Sequence, residues 1–163
     1  MKLIVSTHRH WDHIGDNAAV QDATGAQIAA HIADRHGLEH PAASNAPFPI
    51  PPSIPAIDLA EGSKIRFGEI TLDVLHTPGH TEGSVCLLAD SERLLLTGDT
   101  LFAQGWGRID LAGGSEDQMV DSLSRLSGMA EHLKVLPGHG RETTLAAEKP
   151  WLSQIAANRR LPF

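Results

Sequence analysis

We predict a layered α/β (α+β) domain from three features of this 163-residue sequence. Short apolar or β-branched runs of strand length are interspersed with stretches of helical periodicity. Several of these runs stop at glycine, which is typical of strands that end in tight turns. Interspersed strands and helices favour sheets and helices packed in layers around a core. No internal repeat or domain-scale change in composition divides the chain, so we expect residues 1–163 to form one domain.

The N-terminal part is predicted to contain short elements and one long loop. Residues 3–7 (LIVST) predict a buried strand because they are apolar and β-branched. Residues 41–55 hold six prolines and predict an extended, irregular surface loop. The other predicted elements are a polar turn at residues 8–16, a helix at Asn17–Thr24 ended by Gly25, a strand at 26–31 and a helical turn at 32–36 closed by Gly37.

From residue 57 onward the sequence has the texture of a β-sheet followed by helices. The predicted strands are Lys64–Phe67 and 69–75, which flank Gly68 as a hairpin, then 84–89, 93–97 and 134–136. Residues 116–132 have apolar side chains at nearly helical spacing and predict a helix, and residues 144–157 predict a last helix.

Composition excludes several classes of protein. A net charge of −7 argues against a protein that binds the phosphate backbone of nucleic acid, and 4% aromatic residues without tyrosine argue against a base-stacking platform. No apolar run approaches the ~18 residues that cross a membrane. The single cysteine, Cys86, suits a reducing compartment, and the N-terminus lacks a signal-peptide layout, so we expect a cytoplasmic protein.

The first motif that carries chemistry is His8-Arg9-His10-Trp11-Asp12-His13, directly after the first predicted strand. Four of its six side chains can bind a metal ion. His8 and His10 occupy alternate positions and can leave the strand end on one face, whereas Asp12 and His13 point elsewhere. This division suits two neighbouring ions, one for each pair.

The same local pattern recurs three times downstream. Each time an apolar strand ends at a glycine, and the next residue is His80, Asp99 or His139. Glycine permits the sharp turn and close backbone approach that a ligand loop requires. Because functional loops commonly follow the elements of a rigid scaffold, four such loops predict one site at the strand ends.

The seven candidate ligands comprise five imidazoles, two carboxylates and no thiolate. This set favours zinc, iron or manganese over a structural cysteine-rich zinc site. A closed structural site needs only four ligands, so seven predict two ions that share a carboxylate and hold a water between them. Asp99 is the expected bridge, since it is the only other carboxylate at a strand-end glycine turn.

The spaced ligands and their flanking segments resemble a known family. The motif of residues 8–13, followed by His80, Asp99 and His139, resembles the metallo-β-lactamase fold superfamily. The segments HTPGHTEGS, TGDTLF, GWGRID and LPGHG resemble its glyoxalase II branch, particularly short glyoxalase II-like hydrolases and persulfide dioxygenases. The resemblance covers residues 3 to about 145 and implies an αββα sandwich. Several strands normally precede the first histidine motif, so we expect a chain that lacks most of its N-terminal sheet, by truncation or natural shortening.

The resemblance also implies a ligand set and a reaction. One ion would bind His8, His10, His80 and Asp99, and the second would bind Asp12, His13, Asp99 and His139. Two Zn²⁺ ions per chain would hold a hydroxide that attacks a thioester carbonyl, while the metals stabilise the oxyanion. Asp12 and Asp99 are the candidate catalytic residues, because they would orient that hydroxide. The expected partner is therefore a small thioester or related acyl compound, without nucleic acid or membrane.

Two other functions are compatible with the same residues. One is a mononuclear Fe²⁺ persulfide dioxygenase that uses His8, His80 and Asp99 as two histidines and one carboxylate. The other is a non-catalytic remnant that keeps its ligands but cannot hold them in the geometry that metal binding requires, because most of its first sheet is expected to be absent. The acidic balance makes a nuclease a poor hypothesis. With few residues before its first strand, the chain is expected to expose a sheet face and edge, and to form a homodimer through them or to aggregate.

The remaining candidate residues receive structural interpretations. His76 is expected outside the ligand set, and four further histidines are expected to be exposed: His31, His36, His40 and His132. Cys86 is expected to be a buried hydrophobic residue. Arg108 and Asp110 are expected to form an ion pair, with contact to an anionic substrate as the alternative. The other expectations are that Trp11 packs near the metals, that Trp106 either lines the pocket or plugs a loop, and that Thr97 and Thr100 hydrogen-bond ligands.

Overall fold

The computed structural model describes residues 1–41 and 46–162, which form two β-sheets packed face to face between helices. This arrangement confirms the predicted αββα sandwich. Part of the proline-rich segment predicted as a loop, residues 42–45, lies outside the described residues. Its described continuation, residues 46–56, contains neither helix nor strand, as predicted. None of the helices in the described ranges combines the length and apolar composition needed to cross a bilayer.

The smaller sheet contains three parallel strands in the order β1-β2-β3. They are β1 (Leu3–Val5), β2 (Gln27–His31) and β3 (Ile57–Leu59). The prediction of a buried strand over residues 3–7 is wrong in length and burial. Only three residues pair with β2, and they are half-buried because β1 forms the edge of this sheet.

The larger sheet contains six strands in chain order. They are β4 (Lys64–Phe67), β5 (Ile70–His76), β6 (Val85–Ala89), β7 (Leu94–Gly98), β8 (Lys134–Pro137) and β9 (Thr143–Thr144). Neighbours are antiparallel except β7 and β8, which are parallel and are joined by a crossover that includes a helix. The predicted hairpin around Gly68 is confirmed. The two-residue strand β9 was not predicted.

The described residues contain five α-helices, which cover the outer faces of the sheets. They are α1 (Trp11–Ile14), α2 (Asn17–Thr24), α3 (Arg35–Glu39), α4 (Glu116–Ser127) and α5 (Leu145–Asn158). Ser115 caps the N-terminus of α4 by accepting a hydrogen bond from the Gln118 N–H. This helix ends before Gly128, five residues earlier than predicted for residues 116–132, since glycine disfavours helix continuation.

The alternation of side chains in β2 shows how one strand supports two apolar layers. Ile28 and Ala30 face the layer that contains Ile14 and Leu38, whereas Ala29 faces the layer between the sheets. A third layer packs the larger sheet against α4 and α5. This packing holds the strand ends rigidly, and the loops that carry the candidate ligands extend from them.

Candidate metal centre

All seven predicted ligands lie together at one edge of the sandwich, where strands end. His8 and His10 follow β1, and Asp12 and His13 lie in the short helix α1. The other three follow strands of the larger sheet: His80 after β5, Asp99 after β7 and His139 after β8. The structure therefore brings the two sheets' ligand loops to a common site.

The first cluster of ligand atoms comes from three histidines. His8, His10 and His80 each offer a ring nitrogen, and these atoms all lie within 4.8 Å of one another. His10 Nδ1 lies 2.7 Å from His80 Nε2, and both residues line the same cleft. Such closely grouped imidazole nitrogens are suited to hold one divalent ion of the first transition row or zinc.

The second cluster is more exposed and contains a carboxylate. His13 Nε2 lies 3.0 Å from His139 Nε2, and the same His139 nitrogen lies 3.0 Å from Asp12 Oδ2. These three residues also have their ligand atoms within 4.8 Å of one another. A third group, His8, His13 and Asp99, also has its ligand atoms within 4.8 Å of one another, so the two clusters adjoin. The division of the ligands between two ions stays a prediction.

Asp99 lies between the two clusters. Its Oδ2 lies 3.5 Å from His80 Nε2 and 3.5 Å from His139 Nε2, and its Oδ1 lies 3.3 Å from His13 Nε2. One carboxylate therefore approaches imidazoles of both clusters. This is the placement required of a ligand that two ions share.

Two buried polar atoms of the site have no hydrogen-bond partner among the described residues: His8 Nε2 and Asp99 Oδ1. Buried polar atoms are normally satisfied, because desolvation without a partner costs free energy. The donor set of imidazoles and carboxylates fits divalent metal ions, which would satisfy both atoms. The residues present therefore fit the metal centre that the sequence predicts.

The electrostatics of the site favour the neutral form of the His8 and His10 imidazoles, which is the form that binds metal. Burial, followed by the nearby rings of His13 and His80, lowers the pKa of His8 well below its usual value. Burial also lowers the pKa of His10 to about 4. For Asp99, burial raises the carboxyl pKa, and a positive charge beside it would favour the ionised form.

Hydrogen bonds behind the ligands orient two of the imidazole rings. The Nδ1 atom of His80 lies 2.7 Å from the Arg108 carbonyl oxygen, so Nδ1–H donates to it and Nε2 is free to face Asp99. Thr7 Oγ1 lies 3.2 Å from His8 Nδ1.

The expectation that Thr97 and Thr100 contact ligands is wrong. Thr97 donates to the Leu101 carbonyl and Thr100 bonds to Thr77, so both brace the loop after β7.

Glycine is required at the strand ends, as predicted, for two different reasons. Gly98 has φ of +46°, a left-handed conformation that turns the chain into Asp99. Gly138 is required by close approach, because a Cβ there would lie 2.3 Å from Asp99 Oδ1 and 2.8 Å from His13 Cε1.

The metal centre opens into a cleft of about 860 Å³. Its apolar walls include Trp11, Phe102 and Leu111, and Trp11 packs edge-on against Phe48 at 5.6 Å. The prediction that Trp11 packs near the ligands is confirmed. Trp106 packs on Trp151 and against the core beside α5, which favours the plug over the pocket wall.

Arg108 and Asp110 form the predicted ion pair at the rim of the cleft. The two bonds are each 2.7 Å long, and the pair lowers the pKa of Asp110 to about 2. Cys86 is fully buried, as predicted, and burial raises the pKa of its thiol to about 11. It is therefore a packed hydrophobic residue and not a nucleophile.

The other histidines lie away from the ligand clusters, with one corrected prediction. His31 is buried, at 7% exposure, although it was expected on the surface. Its ring stacks on His76 at 4.0 Å, and its Nδ1 accepts a hydrogen bond from the Ala33 N–H. His36, His40 and His132 are exposed, as predicted.

The comparisons with known proteins decide the family. The model of the metallo-beta-lactamase superfamily matches residues 2–139. The chain belongs to the metallo-beta-lactamase superfamily. Members of this superfamily are mostly hydrolases that bind divalent metal ions.

The chain is 36% identical over 138 residues to the hydroxyacylglutathione hydrolase of Methylococcus capsulatus, with 83% of this chain and 47% of that relative covered. It thus spans about half the length of that relative.

Two solved structures share the metallo-beta-lactamase fold with this chain. The BLEG-1 B3 metallo-beta-lactamase is 34% identical, with a TM-score of 0.86 and coverage of 94% of this chain and 77% of that one. TTHA1623, crystallised in a di-iron-bound form, is 35% identical, with a TM-score of 0.81 and coverage of 90% and 73%. The resemblance inferred from the motifs is therefore confirmed at the level of family and fold.

Proposed function

We propose that this chain is a dinuclear zinc hydrolase that cleaves a small thioester or a related acyl compound. The observation that carries the proposal is the position of Asp99, within 3.5 Å of imidazoles from both ligand clusters. A site for one ion on His8, His10 and His80 does not need a carboxylate that also approaches His13 and His139. The similarity to a hydroxyacylglutathione hydrolase supports a thioester as the substrate.

The seven residues divide between two ions in this proposal. His8, His10, His80 and Asp99 would hold one ion, and Asp12, His13, Asp99 and His139 would hold the other. Two ions at such a site supply a water with a pKa near 7 and a Lewis acid that polarises the carbonyl oxygen. The unsatisfied Nε2 of His8 and Oδ1 of Asp99 support metal binding here, because His8 belongs to the first set and Asp99 belongs to both.

The chain's own residues position the reactants. Asp12 and Asp99 orient the attacking water through their carboxylate oxygens, and Asp12, at the open side of the site, receives its proton. Trp11, Phe102 and Leu111 form an apolar wall that excludes solvent from the scissile bond. The cleft volume of about 860 Å³ suits a small-molecule substrate.

A persulfide dioxygenase with one Fe²⁺ on His8, His80 and Asp99 is the second candidate. The di-iron-bound form of TTHA1623 supports iron as the metal, since that similar chain binds iron, but it holds two ions and not one. In this case Asp12, His13 and His139 would have no catalytic metal to hold, although they lie as close together as the other cluster. That second cluster is the reason we favour hydrolysis.

The two candidates are separated by metal content and substrate. The full chain would be loaded with zinc or with ferrous iron, and each form assayed for hydrolysis of a hydroxyacyl-glutathione thioester and for oxygen consumption with glutathione persulfide. We expect thioester hydrolysis by the two-zinc form. Oxygen consumption by the one-iron form alone would support the dioxygenase. Metal binding without either activity, or with activity on a β-lactam only, would overturn thioester hydrolysis.

We also propose a homodimer through the edge of the smaller sheet. Within the part of the chain that the structure describes, strand β1 pairs on one side only, with β2, and its three apolar residues are half-buried. Edge strands of this kind can pair with a second chain. Size-exclusion chromatography with light scattering should give twice the chain mass of 17.5 kDa, and a monomer would contradict the proposal.

A further inference from the structure

Asp34 is a fully buried carboxylate that belongs to neither ligand cluster. It ends the short 3₁₀ turn Ile32–Asp34 after β2 and has 0% exposure. Four hydrogen bonds satisfy it. Its Oδ2 accepts from the Arg9 backbone N–H at 2.9 Å and the Thr81 hydroxyl at 2.7 Å, and its Oδ1 accepts from the Arg9 guanidinium at 3.0 Å and the Gly83 N–H at 2.9 Å.

These donors belong to the loops that carry one ligand cluster. Arg9 lies between His8 and His10, and Thr81 follows His80 directly. One carboxylate therefore joins the loop of the smaller sheet to the loop of the larger sheet immediately behind the three histidines. Among the described residues, Asp34 is the one side chain that accepts hydrogen bonds from backbone N–H groups of both loops.

Arg9 extends this connection to a third segment. Its guanidinium lies 3.0 Å from Glu82 and donates at 2.7 Å to the Ala112 carbonyl. The segment containing Ala112 also supplies the Arg108 carbonyl that orients the His80 ring. Arg9 thus couples the backbone beside His8 and His10 to the loop that fixes the His80 tautomer.

We infer that Asp34 is a positioning residue that, with Arg9, Thr81 and Gly83, forms a clamp holding His8, His10 and His80 at metal-binding distance. This inference rests on the proposed metal-dependent function. The clamp acts through the ligand loops, because Asp34 itself faces their backbone and not the ligand clusters. It preorganises the site, so its loss should weaken metal binding more than folding.

The clamp requires a carboxylate and not merely a polar side chain. In Asp34→Asn, an amide nitrogen in place of Oδ1 would face the Gly83 N–H and the Arg9 guanidinium. If the amide nitrogen instead replaces Oδ2, it would face the Arg9 N–H and the Thr81 hydroxyl. That hydroxyl can rotate toward Ser84. Either orientation leaves a buried backbone N–H of a ligand loop without an acceptor.

The test compares Asp34→Asn with Asp58→Asn. Asp58 is the matched control, because it is a carboxylate that pairs with Arg35 at the surface. Zinc-loaded full-length proteins are titrated with a chelator, and the zinc retained is measured by elemental analysis. We expect Asp34→Asn to release one of its two ions at roughly 10- to 100-fold lower chelator concentration, with the other retained as in the parent. Asp58→Asn should match the parent.

A cobalt-loaded sample gives a spectroscopic signature that general destabilisation would not change. We expect altered visible absorption bands for Asp34→Asn and parent-like bands for Asp58→Asn. Parent-like metal retention and spectra in Asp34→Asn would overturn the inference. Equal weakening of both ions together with a lower melting temperature of the loaded protein would also overturn it, since that result indicates a general structural role.

A second variant covers the case in which Asp34→Asn does not fold. Arg9→Lys keeps the positive charge but cannot contact both Asp34 and the Ala112 carbonyl as the guanidinium does. It should weaken retention of the same single ion, and parent-like retention would count against the clamp. Because every readout is metal binding, failure of thioester hydrolysis in the parent would overturn the proposed function and leave this test intact.

Discussion

Asp99 Oδ1 lies 3.3 Å from His13 Nε2, although the two residues come from loops of opposite sheets. His13 lies in α1, beyond the smaller sheet, and Asp99 follows β7 of the larger sheet. The contact therefore depends on the packing of the whole sandwich. A metal ion at this junction would bind a ligand from each sheet and would stabilise the folded chain by linkage.

Asp99→Ala should abolish activity and lower bound zinc to one equivalent or none. The carboxylate approaches histidines of both clusters, so its removal takes a ligand from each ion. We expect turnover to fall by at least about 100-fold. Elemental analysis and a hydrolysis assay measure the two effects. The control is Asp22→Ala, which removes an exposed aspartate on α2. If Asp99→Ala retains two zinc ions and near-parent turnover, Asp99 does not bridge the two ions.

Gly138→Ala should disrupt the metal centre without introducing a polar change. The added Cβ would lie 2.3 Å from Asp99 Oδ1 and 2.8 Å from His13 Cε1, so the ligands must move. Gly128→Ala is matched to it, because its Cβ would meet only the Arg125 carbonyl oxygen at 3.5 Å. We expect lost zinc in the first variant, and in the second a change in unfolding free energy of about 0.5 kcal/mol or less. Full zinc content in Gly138→Ala would show that the site tolerates the methyl group.

His76→Ala should leave the zinc content unchanged. The His76 ring stacks on His31, and its Nε2 donates to the Glu82 carbonyl at 2.8 Å, so it lies outside both ligand clusters. We expect a modest loss of stability from the missing stack and no loss of metal. His139→Ala provides the contrast, because it should lose zinc. If elemental analysis shows half of the metal gone from His76→Ala, this histidine must be counted as a ligand.

His31 should make the folded state less stable as the pH falls from 7 toward 5. Burial, followed by the His76 ring, lowers its pKa below the value of 6.5 expected in the unfolded chain. The unfolded chain therefore binds the proton first, and stability falls as the pH decreases through 6.5 until the folded pKa is reached. In His31→Asn the amide oxygen can replace Nδ1 as acceptor for the Ala33 N–H, and the titration is removed.

Denaturant unfolding at several pH values measures this effect. The slope of unfolding free energy against pH should be smaller in His31→Asn than in the parent. The decrease should correspond to up to about one proton bound by the unfolded state and not by the folded state. His132→Asn, at an exposed position, should keep the parent slope. An unchanged slope in His31→Asn would assign the pH dependence to other groups.

Local sequence carried most of the information about the ligands. Five of the seven follow a strand, and the other two, Asp12 and His13, lie in α1. Two glycines at the strand ends, Gly98 and Gly138, have the conformational or steric role expected of them. The spacing of two residues predicts that His8 and His10 can reach one ion. In the structure their ring nitrogens lie within 4.8 Å of each other. These features depend on one loop at a time, which is why they can be inferred without the fold.

Features that depend on distant contacts could not be inferred in this way. Asp34 follows an ordinary strand and resembles a surface aspartate, and only tertiary packing brings four donors to it. Glu148 is similar, since it lies in α5 and accepts from the Gln104 N–H, Thr143 and Trp151 while buried. His31 was misassigned because its burial comes from the stacked His76 ring on another strand.

The most direct test of the account is a zinc titration of the metal-free chain, followed by thioester hydrolysis and elemental analysis at each step. If Asp99 joins two ions in one catalytic centre, full turnover should require two zinc equivalents, and the same two equivalents should be retained after desalting. Full turnover at one equivalent, with a second ion that binds weakly or not at all, would contradict the dinuclear centre.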